Sequence, residues 1–425
     1  MLEAAEVERI KAVDALLFQA ARPVKILSAL SWPLKVRDRF LQDGGEVLPD
    51  VEYPPFDPQP TIELVREARR KIYPGDVLDD WLDRTAASIE KGALMLATRG
   101  TNAFAAYGRE LYGGPREPLR HQPMTPHDLA ERVLEVIDHL HALEVALPTP
   151  PPRTAAEVEA FIAPAVAAHF GDDAPAVEIV DDLSANALAS PTRIRIRRDA
   201  VFTDRDAAQL LNHEAFIHVA TALNGRSQPE ISILGVGHPG TTRTQEGLAV
   251  YAEMQSGTME LDRFRRLAER VLAVRMAVDG ADFIEVFRWF RERNPDAIQA
   301  YESTRRVFRG GLLTGGAPFF KDIVYLAGLL EVTTFVRGAF AGSRTDSIGL
   351  LFCGKLDIWD IPALAVLRSA GLCVGARYLP PWVSDPRGVL AQLTWQTFLA
   401  RLDLAQATET VDRMLARTTR FESTG

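Results

Sequence analysis

The chain has 425 residues, of which 47% are hydrophobic, 25% charged and 8% aromatic, and its formal charge is -9. That length supports one large hydrophobic core or two moderate ones, and the composition is that of an ordinary soluble globular protein. The acidic excess argues against a general nucleic-acid or anionic-membrane binder, although a local basic patch can still meet an acidic partner. Cys353 and Cys373 are the only cysteines, both within apolar runs (LLFCGK and GLCVG). Two buried thiols are expected there, so any metal must be held by histidine and carboxylate. The N-terminal stretch MLEAAEVERIKAVDALL lacks the basic start, apolar core and cleavage site of a signal peptide. No apolar run approaches the ~20 residues needed to cross a bilayer, so the expected location is cytoplasmic, with no membrane partner.

Taken in order, Glu3 to Gln19, Thr61 to Lys71, Val77 to Thr98 and Pro126 to Leu143 carry apolar residues at three- and four-residue spacing and are predicted helices. Leu48 to Pro60 is too proline-rich for a regular element and reads as an extended covering segment. His139 and His141 are two apart, about 160° round a helix, which does not suit a shared metal. Pro148 to Thr154 (PTPPPRT) holds four prolines in five residues, the composition of a stiff connector. It divides the sequence into a helical N-terminal region (1–147), a Pro-rich linker (148–154) and a second domain (155–425). That domain opens with a helix from Ala155 to Phe170, followed by short strand-like runs at Val177 to Val180, Ala185 to Ala189 and Thr192 to Arg198. In the last of these, Arg193, Arg195 and Arg197 face one way and Ile194 and Ile196 the other: a half-solvated strand, or a cationic flank for an acidic peptide. Further helices are expected at Val324 to Phe340, Pro362 to Ser369, Pro386 to Leu402 and Leu404 to Leu415.

Chemistry concentrates between His213 and Glu253. Thr203 is a predicted N-cap with Asp206 three residues on, and Asn224-Gly225 reads as the stop of the helix between them. Apolar residues occur all round that helix, so it is buried, and its HEAFIH run places two imidazoles and a carboxylate where each needs a partner. The usual zinc-peptidase spacing is H-E-x-x-H; here the histidines are five apart. At about 100° per residue His213 and His218 stand ~140° apart on a regular α-helix, whereas a π-turn at about 80° per residue brings them to within roughly 50°. The spacing therefore predicts a π-turn between them. Glu246 is assigned as third ligand, in the first turn of a helix capped by Thr244 and stopped at Gly257, with Gly247 removing bulk beside it. Glu253, on the same face, is placed to accept the other N–H of a ligand imidazole. His238 in GVGHPG is read as a loop histidine, because a fourth protein ligand would close the site.

Two histidines and one carboxylate leave one position open, the arrangement of catalytic rather than structural Zn2+, and Glu214 is then placed as general base toward an attacking water. A carboxypeptidase also needs a cation for the terminal carboxylate and a donor for the tetrahedral oxyanion. Arg243 sits just before the ligand helix, Arg306 and Arg309 flank a glycine pair, and Lys321 and Tyr325 are four apart on one helix face. Arg243, Arg309, Lys321 and Tyr325 are the candidate substrate-binding groups.

HEAFIH, the Asn224-Gly225 and Gln228-Pro229 pairs and TRTQEGLAVYAE resemble the bacterial "flavohemoglobin expression-modulating QEGLA motif" proteins. These are similar to the eukaryotic tubulin-tyrosine carboxypeptidases, which remove the C-terminal tyrosine of α-tubulin through an HExxxH zinc site. The resemblance is tightest from Val177 to Glu253 and extends through Arg306 to Gly311 and Phe319 to Leu329. It implies His213, His218 and Glu246 as ligands and Glu214 as catalytic base, in agreement with the reading of the residues themselves. By analogy with glutamate-ligand zinc peptidases, ANALA becomes the cleft-edge strand that pairs with substrate and TRIRIRR its inner neighbour.

The expected fold is α+β and mostly helical: a zincin-like catalytic domain with a small sheet, a π-bulged HExxxH helix and a Glu-ligand helix, plus the helical N-terminal region. The expected activity is a zinc-dependent carboxypeptidase acting on a peptide or protein C-terminal tail, acidic or aromatic, with no nucleic-acid partner. The alternative is a regulatory or scaffold protein whose zinc site is structural or vestigial.

Overall fold

A computed structural model describes residues 2–417 of the chain, apart from 74, 121, 142–150, 182, 184, 185 and 404. Helical periodicity is realised within a few residues of the expected bounds at Ala4–Ala21, Gln59–Arg69, Val77–Ala97, Pro126–His141 and Ala155–Phe170. The side chain of His141 lies outside the described residues, and His139 is exposed. Residues 148–150 of the proline-rich stretch also lie outside them. Its last residues are anchored: Arg153 bridges to Phe202 and pairs with Asp204 and Glu157, while Thr154 and Glu157 form a capping box that starts the next helix. The larger hydrophobic cluster takes residues from both sides of this stretch, from Ile10 to Val389. The proline run thus divides the sequence but not the hydrophobic core.

Three short strands follow: β1 (Ala176–Val180), β2 (Ala187–Ser190) and β3 (Arg193–Arg197), in the order β1-β3-β2. β3 is central, parallel to β1 and antiparallel to β2. Ala185, expected to begin the second strand, lies outside the described residues. The alternation of β3 works as read: Ile194 and Ile196 are buried, while Arg193 and Arg197 meet Glu178 and Asp199 on the other face. The buried isoleucines pack against Val158, Ile162 and Val166 of the preceding helix and against the helix that carries the histidines.

That histidine helix runs from 204 to 226 in three segments: α-helical Asp204–Leu210, π-helical Leu211–Val219 and α-helical Ala220–Arg226. Thr203 and Asp206 close the expected capping box at its start. Its end differs from expectation, because the helix passes through Asn224-Gly225. Asn224 is buried and is a tether rather than a stop. Its Nδ2 donates to the carbonyls of Phe352 and Tyr378, and its Oδ1 accepts from the backbone N–H groups of Arg377 and Tyr378. Gly225 is dictated by contact, since a Cβ there would stand 2.0 Å from the Leu234 carbonyl oxygen.

The glutamate helix, Thr242–Gln255, is buried continuously from Thr244 to Glu253. It begins two residues before the expected cap. Thr244 lies inside it, with its hydroxyl accepting from the Ile358 N–H, so Glu246 falls in the second turn. Gly247 does not serve the ligand beside it, as expected, but the close approach of helix Val324–Ala341: a Cβ on Gly247 would lie 2.4 Å from the carbonyl of Gly328. Against the expectation from apolar runs, the segment Phe320–Ala341 is long and apolar enough, by length and composition, to cross a membrane. Its packing on the glutamate helix gives the apolar residues an interior to occupy.

The N-terminal helix joins this core through Ile10, Val13 and Leu17. Its buried Asp14 accepts from the backbone N–H groups of Ser232 and Ile233 at 2.8 and 2.9 Å, fixing the loop that precedes the glutamate helix. Burial raises the Asp14 pKa from 3.8 to about 6, against the two backbone donors. The raised value means that the protonated form is favoured in the fold, so stability from this group is full below 3.8 and is lost as pH rises through about 6. Denaturant melts of wild type and Asp14→Asn across pH 3.5–7 should show that slope only in the wild type. In a second comparison, Gly247→Ala should cost about 1–3 kcal/mol by overpacking. Gly338→Ala, on the neighbouring helix where a Cβ meets nothing within 4 Å, should be neutral or stabilising by up to about 1 kcal/mol.

Candidate metal centre

A π-helical stretch turns each residue by less than an α-helix does, and over five residues the difference carries His218 round to the face of His213. Their rings lie 4.9 Å apart. From the glutamate helix, Oε2 of Glu246 stands 3.6 Å from Nε2 of His213 and 3.6 Å from Nε2 of His218. One donor atom from each of the three lies within 4.8 Å of the others. An ion with tetrahedral bonds of ~2.0–2.1 Å separates its donors by about 3.4 Å, so the three residues fit a metal with little movement. The two other His/Asp/Glu groupings among the described residues (His127, Asp128, Glu131 and Glu6, Asp76, Asp79) are more exposed.

The groups behind the cluster fix its donors. Nδ1 of His213 lies 2.7 Å from Oε1 of Glu253, whose other contacts come from Gln209 and Arg263. Burial opposes ionisation of Glu253, but Arg263 and His213 outweigh it and hold its pKa at about 2. Glu253 is therefore a carboxylate and Nδ1 of His213 is the donor to it, which turns Nε2 toward the position an ion would take. Without an ion, burial lowers the His213 pKa while Glu246 and Glu253 raise it further, to about 10; a metal would take the place of the Nε2 proton. Glu246 is itself buried, yet Lys321 and the two histidines keep it ionised. Lys321 donates to its Oε1 at 2.6 Å, leaving Oε2 to face the imidazoles.

This placement differs from the expected role of Lys321 as a substrate group. Lys321 also donates to the Tyr325 hydroxyl, 3.1 Å away, which accepts from Arg306 at 3.2 Å, and Arg306 is locked onto Asp322. Arg243 is taken by Glu331 and the Tyr112 carbonyl. Arg309 is buried over the Phe319 ring. None of Arg243, Arg309, Lys321 and Tyr325 is among the residues that line the cavity beside His218. His238 is also outside it, with Nδ1 3.0 Å from the Ser88 hydroxyl.

That cavity, about 1010 Å³, is walled by His218, by Ala189 and Ser190 of β2, and by Phe18, Arg22 and Lys25 from the N-terminal region. The residue that sequence reasoning missed is Lys355. Its Nζ donates to the His218 carbonyl at 2.9 Å and to Gln245 Oε1 at 2.8 Å. Burial lowers its pKa to about 8, against the charges of Glu246 and Glu214. No spacing signal could have found it, because 137 residues separate it from His218. Glu214 is half-buried on the π-helical turn.

The sequence pattern of the family described as "Microtubule-associated tyrosine carboxypeptidase" matches residues 38–401. The chain belongs to this family. The match embraces both the histidine and glutamate helices; of the N-terminal residues that wall the cavity it includes Leu64, while Phe18, Arg22 and Lys25 precede it. No curated protein matches the chain in sequence. A solved structure similar to it is Trypanosoma cruzi metallocarboxypeptidase 1, at 14% identity and a TM-score of 0.40, over 86% of this chain and 92% of that one.

Purified protein should bind a single divalent ion per chain. His213→Ala, His218→Ala and Glu246→Ala should lose it, while Glu253→Gln should keep it with affinity lowered by about 10- to 100-fold in competition against a chromophoric chelator. Undiminished affinity in His218→Ala would sink the ligand assignment.

Proposed function

We propose that this protein is a zinc-dependent carboxypeptidase that removes residues from the C-terminus of an acidic peptide or protein tail. The observation that carries the reading is the convergence of His213, His218 and Glu246 around one point, with Glu214 on the same π-turn and a cation-lined cavity alongside. The donor set is that of a catalytic site, since three protein ligands leave a position for water and substrate. Zinc, when bound, supplies Lewis acidity: it lowers the pKa of water toward ~7 and polarises a carbonyl.

The chain's own groups do the rest. The side chain of Glu214 makes no hydrogen bond or ion pair with any described residue, which leaves its carboxylate able to take a proton from the attacking water and return it to the leaving amine. A site serving structure alone has no use for such a group. Among the described residues β2 pairs with β3 on one side only, and its last residues, Ala189 and Ser190, line the cavity. An extended substrate can add to that free edge through backbone hydrogen bonds. Among the described residues the cavity wall includes Arg22, Lys25, Arg226 and Lys355 and no carboxylate. A wall of one sign draws in and orients a tail of the other, and this supports an acidic substrate.

Zinc-loaded protein incubated with a C-terminal peptide library should release single residues from chain ends, read by mass spectrometry. Glu214→Gln should retain the metal and lose at least about 100-fold in rate. Turnover that survives this substitution would exclude Glu214 as the base.

A further inference from the structure

The ligand cluster does not by itself distinguish a chain end from a chain interior; some group must register the peptide against it. Lys355 is placed for that. Its backbone N–H donates to the Leu234 carbonyl at 2.7 Å, and the preceding Gly354 has no room for a side chain, since a Cβ would stand 2.6 Å from the same oxygen. Its ammonium is held from behind by the His218 carbonyl and by Gln245 Oε1. That amide oxygen is steadied in turn by the Thr221 hydroxyl at 2.8 Å. An ammonium has three N–H bonds, and no described residue accepts the third. Lys355 lines the cavity together with His218, Ala189 and Ser190. The other cations of the wall, Arg22, Lys25 and Arg226, are exposed side chains; Lys355 alone is anchored to a residue of the metal-competent cluster.

In a peptide the terminal carboxylate lies one residue beyond the last scissile carbonyl, within about one Cα–Cα step of 3.8 Å. A cation that reads it must be fixed to the same frame as the reacting centre, and the His218 carbonyl is such a frame. We propose that Lys355 binds the free C-terminal carboxylate of the substrate, setting the last peptide bond against the cluster and restricting the enzyme to exo cleavage. This rests on the peptidase reading above and assigns the specificity of that site.

The probes are N-acetylated pentaglutamyl peptides bearing each amino acid at the C-terminus, made as free acids and as C-terminal amides. Titrated calorimetrically into the Glu214→Gln protein, the free acids should bind about 10- to 100-fold more tightly than the amides, as expected for a charge-assisted contact. Lys355→Met should close that gap by weakening the acids alone, and Lys355→Arg should restore part of it; melting curves and metal content show whether each variant is folded and loaded. In turnover assays Lys355→Met should raise KM for the free acids with a smaller change in kcat. Equal binding of acids and amides by protein with Lys355 intact overturns the proposal, and that comparison needs no Lys355 variant to fold. An equal loss of kcat on both forms in Lys355→Met, with the affinity gap unchanged, also overturns it. Turnover without discrimination between acid and amide sinks this proposal and leaves the peptidase reading standing. A Lys355-dependent binding gap without any turnover does the reverse.

Discussion

The site depends on the five-residue separation of His213 and His218 and on the π-helical turn that resolves it. On a regular α-helix the two imidazoles diverge by ~140° and no third residue could reach both. The nine-residue π-helical segment brings both Nε2 atoms to one oxygen of Glu246. A π-turn is a local irregularity that persists only where its surroundings hold it. Here the flanks do so: the Thr203–Asp206 capping box fixes the entrance, and the four hydrogen bonds of buried Asn224 fix the exit.

Buried charge is the second constraint. Glu246 and Glu253 are both carboxylates in the interior of the protein, and an uncompensated charge there costs several kcal/mol. Lys321 answers Glu246, Arg263 answers Glu253, and His213 stands between the two carboxylates. The chain therefore holds the cluster with its own counter-charges, with Oε1 of Glu246 occupied and Oε2 presented. Arg306, Asp322 and Tyr325 extend the same compensation outward. The helix contact at Gly247 and Gly328 belongs to this frame, because Lys321 reaches Glu246 from the 3-10 turn that leads into the helix packed there.

The cleft is assembled from distant parts of the chain. One wall is the edge of β2 and His218; the other is the end of the N-terminal helix and the turn after it. Asp14 ties that helix to the loop at Ser232 and Ile233, and the loop's Leu234 carbonyl accepts from Lys355. The N-terminal region thus shapes the cavity instead of merely supporting the fold.

The sequence by itself determined the helices with clear periodicity, the alternating strand at Ile194 and Ile196, the three candidate ligands and the need for a π-turn. Each of these rests on local spacing, and local spacing survives into the fold. Glu253 was legible for the same reason, lying seven residues and about two turns from Glu246 on one helix. The tertiary structure alone decided which polar groups meet. Lys321 and Tyr325 stand out in sequence as an i, i+4 pair, but only the packing of one helix on another turns Lys321 to Glu246. Asn224, Gly225 and Gly247 look like punctuation or local relief in sequence and are contact residues in space, since the partner that dictates each is nine or more residues away along the chain. Lys355 carries no motif at all; its place beside His218 exists because the fold brings a loop residue onto the carbonyl of a helix far from it in sequence.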